Sequence, residues 1–244
     1  MRHIIKGPAA SSLVRKHESP PQTEEEAARA WGHFRSWKKQ ETKSRCLGEQ
    51  YYLCGYSEVD LSAEALARGQ EIGMHLEHVE PKSKNPQRTF DHTNLIVSGI
   101  DDSKTRKLVK EDVFGGHAKL KWYDDNLFIS PLQVDCSRYF HYESTGKVIP
   151  KINLSAPEKE QAQTTIDKLN LNAPVLVNWR SVWLKELEFE MSKLLDDSGA
   201  LRLFAQTELL PINGRLRPFH SAQRQMFDAF GEAVIQESGQ LSCS

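Results

Sequence analysis

Apolar positions recur at helical spacing near the start of the chain. Between residues 24 and 40 they return every three or four positions, which predicts one amphipathic helix. Thr23, with Glu26 three positions later, is typical of a helix N-terminus. The apolar stripe of this helix consists of Ala27, Ala30, Trp31, Phe34 and Trp37. Residues 1–22 show little periodicity, so we assign them no element.

The middle of the chain combines the shorter spacing of strands with polar, helix-prone stretches. The predicted elements are a strand at 50–53, a helix at 62–69, a strand at 74–81, a returning segment that begins at 94–97, a polar insertion at 101–112 and a buried strand at 127–132. The strands at 50–53 and 74–81 are expected to form a β-hairpin, with the helix at 62–69 in its connection.

The C-terminal part of the chain is mainly helical after a predicted β-hairpin at 139–149. The predicted helices are one that closes at 167–171, one at 178–195 and one at about 221–236. These elements predict an α+β fold with three regions. They are an N-terminal tail and helix (1–45), a core (46–150) and a C-terminal helical region (151–244).

Composition describes a polar chain of almost no net charge. Of 244 residues, 39% are hydrophobic, and 32 Lys and Arg against 33 Asp and Glu give a net charge of −1. The mean hydropathy is −0.57. No apolar run reaches membrane-spanning length, and Ile4-Ile5 is cut off by Lys6-Gly7-Pro8. We therefore expect a cytoplasmic protein with no membrane contact.

The charge argues against a nucleic-acid binder that works alone, because such a protein usually carries a clear excess of base. Basic residues nevertheless cluster at 38–45, 82–88 and 104–110. These clusters either contact phosphates or form solvated faces, and the pattern leaves both open. If the substrate is nucleic acid, a partner protein is expected to supply much of the binding to it.

Candidate chemistry is concentrated in residues 74–82, which read MHLEHVEPK. In an extended segment His75 and Glu77 share one face, and His78 points to the other. A carboxylate that anchors a hard divalent cation, beside a neutral imidazole that deprotonates water, is a common hydrolytic arrangement. The alternative is a strand edge that holds two histidines by chance.

The order His78, Asn94, His117, with Pro81 after the first histidine and Leu95 after the asparagine, resembles the HNH (ββα-metal) nuclease motif. More narrowly, the chain resembles the PtuB-type HNH endonucleases of retron and Septu anti-phage systems. The blocks that carry this resemblance, in order from Met1 to about Phe227, are MRHIIKGP, HLEHVEPKS, NLIVSG, GGHAK, LFISPL and FHSAQR. The resemblance implies a treble-clef-like ββα-metal core, flanked by N- and C-terminal helices.

The resemblance also implies roles for particular residues. His78 matches the general base, and Asn94 either orients its imidazole or pins the loop, two uses that are compatible. Glu77 and His117 match the metal ligands, and a carboxylate suits Mg²⁺ or Mn²⁺. For His75 a catalytic part, through a phosphate contact or support of a ligand, and a purely structural hydrogen bond both remain open.

Outside these positions, Lys82 and Lys119 are candidates to contact nucleic-acid phosphates. Asp91 and His92 are expected to be loop residues. Trp31, Phe34 and Trp37 form an aromatic stripe that we expect to dock on a partner, since tryptophan often anchors interfaces. The competing expectation is that the chain's own C-terminal helices cover this stripe.

Many HNH proteins brace the fold with a zinc knot of four cysteines. Here Cys46, Cys54, Cys136 and Cys243 are scattered singly, and no CxxC pair exists. The positions that match the knot are Cys54 and Ser57, Ser98-Gly99 and Gly115-Gly116. At most one of four ligands is left, so we expect no structural zinc, and a zinc-dependent binding module is excluded.

The expected function is therefore metal-dependent hydrolysis of phosphodiester bonds in nucleic acid. The resemblance implies the toxic effector of a defence module that works with a PtuA-type ATPase and, in a retron, with a reverse transcriptase and its msDNA. DNA is the default substrate of HNH folds, and RNA, including tRNA, stays open. The alternative is a non-catalytic assembly subunit on a degenerate HNH scaffold, which the lost zinc knot favours and the retained site residues oppose.

Overall fold

Eight α-helices and two antiparallel pairs of short strands form the regular structure in the parts of the chain that this computed structural model describes, residues 1–62, 72–103 and 108–241. The helices are α1 Ser11–His17, α2 Glu24–His33, α3 Ser36–Glu49, α4 Gly116–Lys119, α5 Ala156–Lys168, α6 Pro174–Ser192, α7 Ser198–Leu209 and α8 His220–Ser238. The strands are β1 Met74–His78, β2 Leu95–Gly99, β3 Phe140–Tyr142 and β4 Val148–Pro150. The expected α+β class is confirmed.

The first sheet pairs β1 with β2, and its register sets Met74 opposite Gly99 and His78 opposite Leu95. All of β2 is buried, as its apolar sequence requires. The buried Gln50 side chain completes the far edge of β2: its Oε1 accepts from Val97 N at 2.7 Å and its Nε2 donates to Val97 O at 2.8 Å. Gly55 N donates to the same Val97 carbonyl at 3.0 Å, so a side-chain amide and one backbone amide occupy the place of a third strand at that edge.

The helix α4 begins where two glycines let the backbone pass close to β2. Gly115 has a φ of 65°, and a Cβ there would lie 2.6 Å from Ser98 Oγ. Gly116 N donates to the same hydroxyl at 3.1 Å. The strands β1 and β2 and the helix α4 therefore form a ββα unit, in the chain order that the resemblance implies.

The predicted helix at 24–40 is two helices, and this divides the expected aromatic stripe. Thr23 accepts from Glu26 N at 3.2 Å, so the predicted N-terminus is confirmed. The chain leaves α2 at Phe34, whose ψ is 112°, and α3 then continues well beyond residue 40. As a result Phe34 is buried while Trp37 is 57% exposed.

The predicted strand at 50–53 is wrong, and so is its pairing with 74–81. Tyr51 and Tyr52 have positive φ values of 53° and 65°, which belong to a turn that follows α3. Leu53 makes only an isolated bridge to Asp60. The partner of β1 is the segment at 95–99. The predicted helix at 62–69 falls almost entirely outside the described residues.

The predicted strand at 127–132 is buried but forms no strand. Thr165 of α5 takes the place of a neighbouring strand, because its hydroxyl accepts from Ile129 N at 2.9 Å and donates to Leu127 O at 3.3 Å. The insertion at 101–112 holds only a short 3₁₀ turn, Lys110–Asp112, among its described residues.

The predicted β3–β4 hairpin and the helices α5 and α6 are confirmed, and α8 covers the helix predicted at about 221–236 but is broken at Asp228, whose φ is 48° and ψ is −139°. The sequence pattern predicts neither α7 nor the N-terminal helix α1. The helix α6 starts at Pro174, earlier than predicted, because proline is well accommodated in a first helical turn. A smaller core lies between α6, α7 and α8, and the larger core draws residues from all three predicted regions. The divisions near 45 and 150 stay predictions. No helix in the described ranges is long and apolar enough to cross a membrane.

Candidate active site

A cleft of about 520 Å³ lies between α2 and the ββα unit. Trp31 of α2 lines one wall, while the β1 residues His75, Glu77 and His78 line the other, together with His117 of α4. A cavity of about 590 Å³ lies elsewhere, beside α6 and α7, but its lining holds neither histidine nor cysteine. We therefore locate the candidate chemistry in the first cleft.

Three side chains in the cleft bring their ligand atoms close together. His75, Asp102 and His117 each offer one donor atom, and these atoms lie within 4.8 Å of one another. The two imidazole rings are 4.3 Å apart between centres, and His117 Nε2 lies 3.3 Å from Asp102 Oδ1. Two imidazoles and a carboxylate are a common set of ligands for a divalent metal ion.

The orientation of His75 suits a ligand. Its Nδ1 lies 2.7 Å from the carbonyl oxygen of Ile100, and a carbonyl only accepts, so Nδ1 carries the hydrogen. In the neutral ring Nε2 then holds the lone pair, and it lies 3.4 Å from Glu77 Oε2. Burial by itself would lower the pKa of His75, but Glu77 and the Ile100 carbonyl raise it overall.

Two further observations fit a bound cation. His117 Nε2 is buried and has no hydrogen-bond partner in the described structure, although the Asp102 carboxylate is near. A Cβ at Gly116 would lie 2.6 Å from Glu77 Oε2 and 2.8 Å from His75 Nε2, so the glycine keeps this space open. The residues present therefore fit a divalent metal ion.

Glu77 is buried between His75 and Lys119, and Lys119 Nζ lies 3.0 Å from Glu77 Oε1. The contact is ionic, since its geometry is poor for a hydrogen bond. Burial alone would raise the pKa of Glu77, but His75 and Lys119 hold it below its usual range. Glu77 is thus an anion already partly neutralised by its neighbours.

Lys119 does not fit the expectation that it reaches a phosphate. Its side chain is only 1% exposed, and Nζ donates to the carbonyl oxygens of His78 at 3.4 Å and of Val79 at 3.1 Å. The short helix α4 directs this side chain inward, beneath the end of β1. Lys82 does line the cleft, with Nζ 5.6 Å from the centre of the Trp31 ring.

His78 lines the cleft but is only 6% exposed. Its Nε2 donates to the Thr89 carbonyl at 2.9 Å, and the Trp31 ring meets it edge-on with centres 4.5 Å apart. Burial lowers the pKa of His78 to about 3, with a further contribution from Lys82. The imidazole is therefore neutral at cellular pH, and its lone pair is on Nδ1 because Nε2 carries the hydrogen.

Asn94 fixes the loop that carries the Thr89 carbonyl. Its Oδ1 accepts from Glu80 N at 2.8 Å, and its Nδ2 donates to Glu80 O at 3.0 Å and to Arg88 O at 3.3 Å. The side chain thus joins the backbone after His78 to the backbone before Thr89. Both expected roles for Asn94 are compatible with this geometry, since the pinned loop orients the imidazole.

A second group, Cys46, Glu49 and His92, also lies close enough to hold a metal. The Lys6 ammonium takes the place of a metal ion here, because it contacts the Glu49 carboxylate and donates to Leu95 O at 2.8 Å. Burial raises the pKa of the Cys46 thiol to about 11, so it remains protonated. His92 donates to Glu49 at 2.7 Å and lies outside the cleft. The group is therefore an ion-pair cluster whose cation is the Lys6 ammonium.

The positions that match a zinc knot do lie together. Cys54 Sγ is 4.0 Å from Ser98 Oγ and accepts from Gly99 N at 3.2 Å, and Ser98 in turn contacts the backbone at Gly116. Hydrogen bonds between one thiol, one hydroxyl and the backbone occupy this region. The buried Phe90, Leu95 and Phe114 belong to the apolar core around it.

Sequence reasoning missed Asp102 and the contribution of α2 to the cleft. Asp102 follows β2 in a segment that the polar pattern predicts as an insertion. No local signal marks Asp102, because its place beside His75 depends on the path of the chain after β2, where Ile100 has a φ of 72°.

Comparison with known proteins gives one informative similarity, and no family model matches the chain. The chain is 32% identical over 127 residues to "Retron Vc95 putative HNH endonuclease" from Vibrio cholerae serotype O1 biovar El Tor. The match covers 51% of this chain and 54% of the relative. The chain therefore spans about half of the length of that relative. The similarity supports a retron-associated HNH family.

Proposed function

We propose that this chain is a metal-dependent HNH endonuclease that hydrolyses phosphodiester bonds in nucleic acid. One observation carries the proposal: a buried neutral imidazole, His78, lines the same cleft as the His75, Asp102 and His117 cluster. The two halves of a hydrolytic site, a base and a set of metal ligands, thus share one cavity on a ββα unit.

The residues divide the chemistry as follows. His78 accepts a proton at Nδ1 from a water molecule as the water oxygen attacks phosphorus and the bond to the leaving 3′ oxygen breaks. The Thr89 carbonyl holds the ring through Nε2 and stabilises the imidazolium that forms. A phosphate anion in the cleft favours that charged form and raises the low pKa of His78.

His75, Asp102 and His117 would hold the metal, with Glu77 beside His75. When bound, a divalent cation stabilises negative charge on the phosphate and the leaving oxygen. This proposed set differs from the expected pair of ligands, Glu77 and His117. It adds Asp102, and it gives a metal-binding part to His75, whose role the sequence leaves open between a catalytic part and a structural hydrogen bond. Two imidazoles favour Mn²⁺ over Mg²⁺, which prefers oxygen ligands.

We infer further that the chain is a PtuB-type effector that acts with a PtuA-type ATPase and, in a retron, with a reverse transcriptase and msDNA. The retron named for the relative supports this context. The net charge of −1 supports a subunit that relies on a partner for part of its grip on nucleic acid. DNA remains the default substrate, with RNA, including tRNA, as the other candidate.

The test is cleavage of labelled DNA and RNA by the chain, alone and with its ATPase partner, in Mn²⁺, in Mg²⁺ and in EDTA. Cleavage is expected in Mn²⁺ and not in EDTA, and His78→Ala should abolish it. The matched control is His17→Ala, which changes an exposed histidine of α1. Equal activity of parent and His78→Ala would contradict the proposed base.

A non-catalytic assembly subunit is the second candidate. The ion pair between Lys119 and Glu77 favours it, because a candidate metal ligand already has a cationic partner. A subunit of this kind would bind the ATPase normally, would take up no Mn²⁺ in titration calorimetry and would leave every nucleic acid intact.

A further inference from the structure

Three lysines surround two tryptophans beside the cleft. Lys39 Nζ lies 5.2 Å and Lys82 Nζ 5.6 Å from the centre of the Trp31 ring. Lys38 Nζ lies 5.4 Å from the centre of the Trp37 ring. Within the described parts of the chain none of these lysines pairs with a carboxylate, although neighbouring surface lysines repel one another unless an anion lies between them.

Burial lowers the pKa of Lys82, and Lys39 adds to this effect while the Glu77 and Asp102 carboxylates oppose it. A bound phosphate would act in the same direction as these carboxylates, because an anion favours the charged form of the lysine.

Trp37 adds a feature that a simple anion site does not need. Trp37 is 57% exposed at the start of α3, whereas Phe34, the residue that ends α2, is buried. The Lys38 ammonium lies near both rings, 5.8 Å from the centre of Phe34. A tryptophan left open to solvent beside a lysine is suited to stack on a nucleic-acid base while the ammonium contacts the neighbouring phosphate.

The surface is continuous with the cleft. Trp31 and Lys82 line the cleft together with His75 and His78. Lys39 of α3 lies over the Trp31 ring, and the residue before it, Lys38, lies over the Trp37 ring. A polymer that leaves the candidate active site past Trp31 therefore meets Lys82 and Lys39 first and Trp37 last.

We propose that Lys82, Trp31, Lys39, Lys38 and Trp37, named here the lysine–tryptophan strip, bind an unpaired strand of nucleic acid that enters the cleft. Trp37 stacks on one base, and the lysines contact phosphates. The strand must be unpaired because the bases of a duplex are stacked on one another and offer no free face. DNA and RNA share this chemistry. The inference rests on the proposed nuclease function, for which it specifies the form of the substrate.

The experiment measures binding of the 244-residue chain to fluorescent oligonucleotides of about 12 nucleotides by anisotropy in EDTA, where metal-dependent cleavage is absent. Single-stranded DNA, single-stranded RNA and duplex DNA form the three arms. The variants are Trp37→Ala, Trp37→Phe and Lys38→Gln with Lys39→Gln. The control is Phe189→Ala, which removes an exposed aromatic ring that also has a lysine over it, 3.9 Å from Lys193 Nζ, but does not line the cleft.

Trp37→Ala is expected to weaken the binding of single strands about tenfold. Trp37→Phe should keep most of the parent's affinity, and Phe189→Ala should keep all of it. The double lysine variant should lower the slope of log affinity against log salt concentration by about 0.7 for each lysine removed. Duplex should bind more weakly than either single strand, and the stronger of the DNA and RNA arms identifies the sugar.

The strip is overturned if the parent chain binds no strand, if Trp37→Ala binds as the parent does, or if duplex binds best. A loss of ATPase pull-down in Trp37→Ala with unchanged strand binding would also overturn it and would assign Trp37 to a protein interface. Failure of the proposed function looks different: strand binding still depends on Trp37, but no cleavage follows when both Mn²⁺ and the ATPase partner are added.

Discussion

Lys119 Nζ lies 3.0 Å from Glu77 Oε1 in the protein interior, so a buried cation from α4 is paired with a buried anion from β1. The same ammonium donates to two backbone carbonyls at the end of β1. The strand that carries the candidate site is therefore tied to the helix that follows it through one side chain.

Lys119→Gln should reduce the free energy of unfolding by about 3 kcal/mol, because it leaves Glu77 buried without its cationic partner. Urea denaturation in EDTA measures the effect. The double variant Lys119→Gln with Glu77→Gln should recover part of the loss, since it removes both charges. A Lys119→Gln variant with parental stability and a reduced salt dependence of nucleic-acid binding would instead restore the phosphate role for Lys119.

Asp102→Asn should lower the affinity for Mn²⁺ by about tenfold or more, because even the outer partners of metal ligands contribute 10–100-fold. Stability should hardly change, since the Asp102 side chain is 84% exposed. Titration calorimetry gives the affinity, and Asp196→Asn, at an exposed position after α6, is the matched control. Unchanged Mn²⁺ affinity in Asp102→Asn would remove this residue from the ligand set.

Trp31→Ala should reduce the free energy of unfolding by about 2–3 kcal/mol, because the ring packs against Phe34, Phe90 and His78. Trp37→Ala should change it by less than about 0.5 kcal/mol, since its ring is exposed. Thermal and urea unfolding measure the loss of stability in both variants, which carry the same substitution at an enclosed and at an exposed tryptophan. Equal losses would mean that Trp37 is covered in solution.

The stability of the fold should fall in acid because of Glu58. Burial alone would raise its pKa, but the Met1 ammonium and the hydroxyl and amide of Ser221 hold it at about 2. The folded pKa lies below the unfolded one, so the stabilisation is complete above about pH 4.5 and is lost as pH falls toward 2. A shift of this size corresponds to about 3 kcal/mol.

Urea denaturation from pH 6 down to about pH 3 measures this dependence. Glu58→Gln should be less stable than the parent at neutral pH and should lose less stability in acid. The control, Glu18→Gln, changes an exposed glutamate and should follow the parent curve. Parallel curves for the parent and Glu58→Gln would show that this carboxylate does not govern the acid response.

Much of the site could be predicted because its residues are close in sequence and carry distinctive chemistry. The positions 75, 77, 78 and 117 all line the cleft, as the spacing and the resemblance together indicate. Asp102 could not be recognised, because a lone aspartate in a polar stretch has no local signature. Its proximity to His75 arises from the turn of the chain at Ile100 after β2, which is a tertiary property.

The fold likewise contains elements that could be predicted from the sequence and elements that could not. Helices with long apolar stripes, such as α6 and α8, could be predicted from sequence alone. The strand at 50–53 could not be distinguished from a turn, because Tyr51 and Tyr52 favour strands locally while the chain requires positive φ there to follow α3. Thr165 takes the place of the strand expected beside the segment at 127–132. No local sequence pattern predicts a hydrogen bond between residues so far apart in the chain.

The most direct test of the proposed nuclease combines cleavage and Mn²⁺ binding in one variant, His78→Ala. The base and the ligand cluster are separate groups in one cleft, so the variant should lose at least about 100-fold in cleavage rate while its Mn²⁺ affinity, measured by calorimetry, stays that of the parent. Cleavage within a few fold of the parent, with Mn²⁺ bound normally, would contradict His78 as the base and the account of this site.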